Sequence, residues 1–145
     1  MLGMLERLAR GMLVALAGVT VGGCNDHDGG GPNADTLGVG VECATDSDCP
    51  EVEVGDEVIR LSCLTQFKGG YCAIQGCSSQ LDCPWRATCV AHDDGNEYCM
   101  RQCASKSECN ANRSPDNEAN CSANFTYADP AEEGSALKVC LPPTG

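Results

Sequence analysis

The sequence predicts a small disulfide-rich fold of three tandem four-cysteine modules, each a short helical turn plus a β-hairpin, with little regular secondary structure. Three observations carry this prediction. The 145-residue chain holds 13 cysteines but only two Phe, one Trp and three Tyr. Twelve of the cysteines fall into three groups of four: Cys43, Cys49, Cys63, Cys72; Cys77, Cys83, Cys89, Cys99; and Cys103, Cys109, Cys121, Cys140. Each group opens with the same Cys-x5-Cys step.

The openings share more than spacing. They read Cys43-Ala-Thr-Asp-Ser-Asp-Cys49-Pro, Cys77-Ser-Ser-Gln-Leu-Asp-Cys83-Pro and Cys103-Ala-Ser-Lys-Ser-Glu-Cys109-Asn. A hydroxyl stands three residues before an acid in each: Thr45 with Asp48, Ser79 with Asp82, Ser105 with Glu108. That spacing suits a capping box, in which the hydroxyl accepts from an exposed amide and the acid reaches back to the start of the turn. Pro50 and Pro84 fall where such a turn stops. Between the third and fourth cysteines come LTQFKGGY, VAHDDGNEY and SANFTYADPAEEGSALKV. Each carries a turn signal (Gly69-Gly70, Asp94-Gly95, Asp129 to Gly134) and ends on a strand-favouring Tyr71, Tyr98 or Val139.

Units of about 25 to 40 residues bury too little apolar surface to be stable alone, so disulfides must replace the missing core. Each contributes ~2–4 kcal/mol, chiefly by restricting the unfolded chain. Four cysteines allow three pairings. Clamping a turn that carries the first two against a hairpin that carries the last two favours first-to-third and second-to-fourth bonds, with the other two pairings open. Ala73 to Gly76 and Met100 to Gln102 are short spacers, which predicts touching units in a compact rod or bent array.

The thirteenth cysteine, Cys24, stands apart. Met1 to Gly23 reads as an export signal: Arg7 and Arg10 precede an apolar run from Gly11 to Val21. The run has eleven residues, and a membrane-spanning helix needs about 20. Val21-Gly22-Gly23-Cys24 resembles the lipobox of bacterial lipoproteins. That resemblance implies cleavage before Cys24, diacylglyceryl modification of its sulfur, and attachment to a cell envelope, with the outer membrane the expected destination. The predicted organisation is signal peptide 1–23, lipidated Cys24 and a flexible acidic tether 24–42, repeats 43–72, 77–99 and 103–140, and a tail 141–145. The twelve-cysteine pattern is similar to the cysteine-rich modules found in tandem in some Gram-negative lipoproteins and to the N-terminal cysteine-rich region of Dickkopf proteins. The similarity implies fold and carries no receptor across.

Several chemistries have little support. No Cys-x2-Cys knuckle is present, against thiolate zinc. His92-Asp93-Asp94-Gly95-Asn96-Glu97 gathers oxygen donors, but the twelve-residue calcium loop with its closing Glu is missing, and Asp-Gly already suits a turn. His27 lies between Asp26 and Asp28 in the tether, and with His92 completes the histidine inventory. An enzyme, a metal and any other cofactor are therefore not expected. Formal net charge is −12, and loss of the signal with its two Arg and one Glu leaves the chain more acidic still. Nucleic acid is an unsuitable partner for such a surface. The expected role is a membrane-anchored, non-catalytic module that presents Glu51 to Ser62, Asn110 to Asn120 and Asp129 to Ala136 to an extracellular protein partner. Two alternatives are a protease inhibitor using Arg60 or Arg113 as its primary site and an envelope spacer without a specific ligand.

Overall fold

Six disulfides organise the fold, and all of them stay within their own unit. The structure is a computed structural model describing residues 32–145; the export signal, Cys24 and His27 lie outside the described residues. Unit 1 is closed by Cys43–Cys63 and Cys49–Cys72. Unit 2 is closed by Cys77–Cys89 and Cys83–Cys99, and unit 3 by Cys103–Cys121 and Cys109–Cys140. The order is first to third and second to fourth every time.

The local elements explain this pairing. A short helix α1 (Ala34–Leu37) leads into the first 3-10 turn, Asp46–Asp48. Strands β1 (Glu51–Val54) and β2 (Glu57–Arg60) follow, then β3 (Ser62–Cys63) and β4 (Cys72–Ala73). Unit 2 has a 3-10 turn at Gln80–Asp82 and strands β5 (Ala87–Ala91) and β6 (Glu97–Arg101). Unit 3 has helix α2 (Lys106–Cys109), then β7 (Asn120–Ser122), β8 (Thr126–Tyr127) and β9 (Val139–Leu141). Cys63 faces Cys72 across β3–β4, Cys89 faces Cys99 across β5–β6, and Cys121 faces Cys140 across β7–β9. Residues directly opposite on antiparallel strands project to one face, so both sulfurs of each hairpin reach the helical turn instead of each other. The two bonds then lie side by side: three of the four sulfurs in each unit sit within 4.8 Å of one another. The thiolate clusters that could have held metal are consumed by S–S bonds.

Two of the three openings close as the expected capping boxes, Thr45 with Asp48 and Ser79 with Asp82; in the third, Glu108 bonds one residue before Ser105 and no box forms. Asp48 Oδ2 accepts from the N–H groups of Ala44 and Thr45 at 2.9 and 2.8 Å. Asp82 Oδ2 accepts from Ser78 and Ser79 N–H at 2.8 and 3.1 Å, and Glu108 Oε2 from Ala104 N–H at 3.0 Å. These amide bonds stabilise the anionic form and hold both aspartates below the usual carboxylate range. Asp46 docks the first turn on its hairpin by accepting from Cys63 N–H at 2.7 Å.

One expectation is corrected here. The tether does not run to residue 42, because Pro32 to Glu42 is folded. Asn33 caps α1 through a bond to Asp35 N–H, Gly38 ends it in the left-handed region at φ 81°, and Ala34, Leu37 and Val39 are buried. Capping and three apolar side chains outweigh the glycine-rich composition. Of the rod and the bent array, the units form the bent one, for each touches both of the others. Units 1 and 2 are stitched by Gly76 N–H to Glu97 O and Cys99 N–H to Ile74 O, both 2.9 Å. Strand β8, from the long loop of unit 3, adds to the edge of β5 with Val90 opposite Tyr127. The tail returns to unit 1 through Lys68 N–H to Pro143 O at 2.8 Å and Gly145 N–H to Gln66 O at 2.9 Å. One shared core results, in which Tyr71, Phe67, Tyr98, Met100 and Val139 supply what no single unit could.

Candidate functional site

Two surfaces have the form of a site, and several predicted residues are absorbed by structure. Arg113 is the clearest case. It is only 9% exposed, and its guanidinium donates to four carbonyls: Nε to Asn117 O at 2.7 Å, Nη1 to Gly40 O at 3.2 Å and Gly70 O at 2.9 Å, and Nη2 to Lys68 O at 2.7 Å. Burial lowers its pKa. Glu42 pins the same loop by accepting from Ser114 N–H at 2.8 Å and from Asn117 Nδ2. That backbone bond is the chief reason its carboxyl lies below the ordinary value, against the opposing effect of partial burial. Arg113 thus clamps units 3 and 1 together and is withdrawn as a protease-facing residue, while Ala111, Asn112, Pro115, Asp116 and Glu118 of the segment Asn110 to Asn120 stay exposed.

A second charged cluster ties the N-terminal segment down. Asp35 lies 2.8 Å from Arg86 Nη1 and 2.5 Å from Arg101 Nε, and Arg101 Nη1 donates to Glu108 O at 2.8 Å. These half-buried pairs join α1 to units 2 and 3.

The acidic loop at His92 to Glu97 is also committed. Asp94 Oδ2 accepts from the Tyr98 hydroxyl at 2.7 Å and from Gln66 Nε2 at 3.1 Å, while Oδ1 accepts from Asn96 N–H at 3.0 Å. Desolvation opposes its charge, but the bonds from Tyr98, Asn96 and His92 prevail and hold the carboxyl at about 2. His92 packs edge-on against Phe67 with centroids 4.9 Å apart, its Nδ1 3.2 Å from Asp94. The Asp94 carboxylate serves the turn and the junction between units 1 and 2.

Beside this junction lies a groove of about 370 Å³ where all three units meet, lined among others by Phe67, His92, Asp93, Phe125, Thr126 and Leu141. It is within the lower size range of small-ligand pockets. The other surface is the β1–β2 hairpin, within the Glu51 to Ser62 segment expected to face a partner. Val52 opposite Ile59 packs on the core at its base. Beyond them Val54 and Val58 are 39% and 42% exposed, and Glu51, Glu53, Asp56 and Glu57 are exposed around them. Among the described residues the two strands pair only with each other, which leaves both outer edges without a neighbour. Alternating Glu and Val about Gly55-Asp56, with Gly55 at φ 64°, is the period-two pattern that could have revealed this hairpin. Arg60 is exposed here and pairs with Glu51 at 2.8 Å.

Comparison with protein-family models, with curated proteins and with solved structures finds no match to this chain. The protein is therefore defined at the level its fold supports: a cysteine-rich small domain of three tandem, disulfide-bonded modules.

Proposed function

We infer that this is a lipid-anchored, extracytoplasmic, non-catalytic binding module that offers the β1–β2 hairpin to a basic, extended segment of a partner protein. The observation that carries the reading is the hairpin itself, a two-stranded projection with unpaired edges and exposed valines. A disulfide at each side of its attachment fixes the base, since Cys49 and Cys63 flank it. An open strand edge accepts a further strand through main-chain hydrogen bonds. The four acids discourage pairing with another copy of the same acidic hairpin and favour a cationic one. The lipobox-like Val21 to Cys24 and a fold that depends on disulfides support export and anchoring. Spacing similar to the Dickkopf-like modules of Gram-negative lipoproteins supports the same placement. The inhibitor alternative loses Arg113 to burial and keeps only Arg60, on a paired strand.

The test replaces Glu51 to Arg60 by Gly-Ser-Gly, which can bridge the gap because these two residues are cross-strand neighbours. The probe is a labelled peptide of alternating Lys and Val, with a Glu and Val peptide as control. The mature domain is expected to bind the basic peptide saturably, and more weakly as salt rises. The replaced variant should fold and not bind. Equal binding by both proteins, or by neither, contradicts the reading. Membrane fractionation tests the anchor separately: Cys24→Ser should move the protein to the soluble fraction.

A further inference from the structure

The geometry points to a membrane-facing surface on unit 2, in which Trp85 and Leu81 rest in the headgroup region of the bilayer that holds the lipidated Cys24. This assignment rests on the proposed anchor. Trp85 is 54% exposed and Leu81 94% exposed, and Trp85 is the chain's single tryptophan. Neither rides on a loosely held loop. Leu81 sits in the Gln80–Asp82 turn, which is fixed by Asp82 reaching back to Ser78 and by Glu132 Oε1 accepting from Gln80 N–H at 2.7 Å. Trp85 follows Cys83, which is bonded to Cys99.

The chain enters the fold beside this tryptophan. Trp85 N–H donates to Pro32 O at 3.1 Å, and Ala34 N–H donates to Trp85 O at 2.8 Å. Cys24 is eight residues from Pro32, a separation that spans at most about 28 Å when fully extended. A fold of this size has a radius of gyration of about 13 Å, so even the fully extended reach is only about twice the radius of the body it holds. The domain cannot turn the Pro32 end far from the bilayer, and the local concentration of lipid at Trp85 is correspondingly high. Tryptophan and leucine are suited to that boundary: an apolar body enters the interface while the indole N–H stays hydrated. The acidic surface makes the matching bilayer one with a zwitterionic face, because an anionic one would repel it.

The single tryptophan makes the test direct. The lipidated full-length mature protein is reconstituted into phosphatidylcholine vesicles, and Trp85 emission is read with acrylamide in the water and with brominated acyl chains in the lipid. The soluble Cys24→Ser chain is the reference. Emission should shift to the blue, acrylamide quenching should fall about threefold, and brominated lipid should quench, as for an interfacial indole. Leu81→Ser, at a side chain that touches little, should leave the fold intact and weaken the brominated-lipid quenching. If the protein floats with the vesicles while Trp85 stays open to acrylamide, the anchor stands and the docking is overturned. A lipidated preparation that does not float overturns both. Shielding of Trp85 in the soluble chain as its concentration rises would place a second copy there and overturn the assignment.

Discussion

Arg113→Met is expected to lower the stability of the folded domain by about 3–5 kcal/mol, the usual cost of removing one partner from a buried charged network. Methionine keeps much of the volume and removes every donor. The carbonyls of Gly40, Lys68, Gly70 and Asn117 would then lose the guanidinium that joins them. Each buried acceptor left without a donor costs about 1–3 kcal/mol, so the total follows from only two or three of the four remaining unsatisfied. Arg113→Lys should recover less than half of the loss, because an ammonium is a point donor and cannot span four carbonyls as a planar fork does. Urea unfolding with the disulfides intact reads the change as a lower midpoint. Hydrogen exchange locates it: protection should drop where units 1 and 3 meet, while the β5–β6 hairpin of unit 2 keeps its own. A loss below about 1 kcal/mol, the level of an exposed ion pair, would mean that Arg113 does not hold the units together.

Gly70→Ala is expected to be comparably damaging for a different reason. A Cβ on Gly70 would stand 1.9 Å from the carbonyl oxygen of Cys43 and 2.8 Å from its sulfur. Backbone and a disulfide occupy that space, and neither can rotate away. Gly70 also has φ 67°, where an L side chain costs about 1–2 kcal/mol. Overpacking adds about 1–3 kcal/mol. Gly55→Ala separates the two effects, since Gly55 has φ 64° and nothing within 4 Å of the added carbon. It should lose only the backbone part. Urea midpoints of the two variants, measured side by side, check the difference; equal losses would show that contact with Cys43 is unimportant. Several of the fold's constraints meet at Gly70. Its carbonyl takes Arg113, its α-carbon backs onto Cys43, and the next residue is the fully buried Tyr71, whose phenol burial pushes up to about 12.

Much of the fold was legible because its determinants are local. The Cys-x5-Cys openings, the acids at Asp48, Asp82 and Glu108, and the turn residues before Cys72 and Cys99 all act within a few residues of themselves. The hairpins follow from those signals, and the pairing order follows from the hairpins. What the sequence hid was non-local. Arg113 sits in a polar loop, where a basic side chain is ordinarily solvated; its burial depends on carbonyls 43 to 73 residues away. Strand β8 shows the same limit, because Phe125-Thr126-Tyr127 favours a strand without saying that β5 has an edge to offer. Leu37 and Val39 were concealed differently, since glycines around them lowered the average hydropathy of a segment whose few apolar residues all face inward. The β1–β2 hairpin is written locally in its alternating Glu and Val, although it lies between the second and third cysteines and outside the repeated pattern of the units.

Disulfide mapping tests the central claim, that each unit is closed on itself and no disulfide joins one unit to another. Proteolysis of the mature protein under non-reducing, acidic conditions, followed by mass spectrometry, should return Cys43–Cys63, Cys49–Cys72, Cys77–Cys89, Cys83–Cys99, Cys103–Cys121 and Cys109–Cys140. A bond linking a cysteine of one unit to a cysteine of another would contradict it.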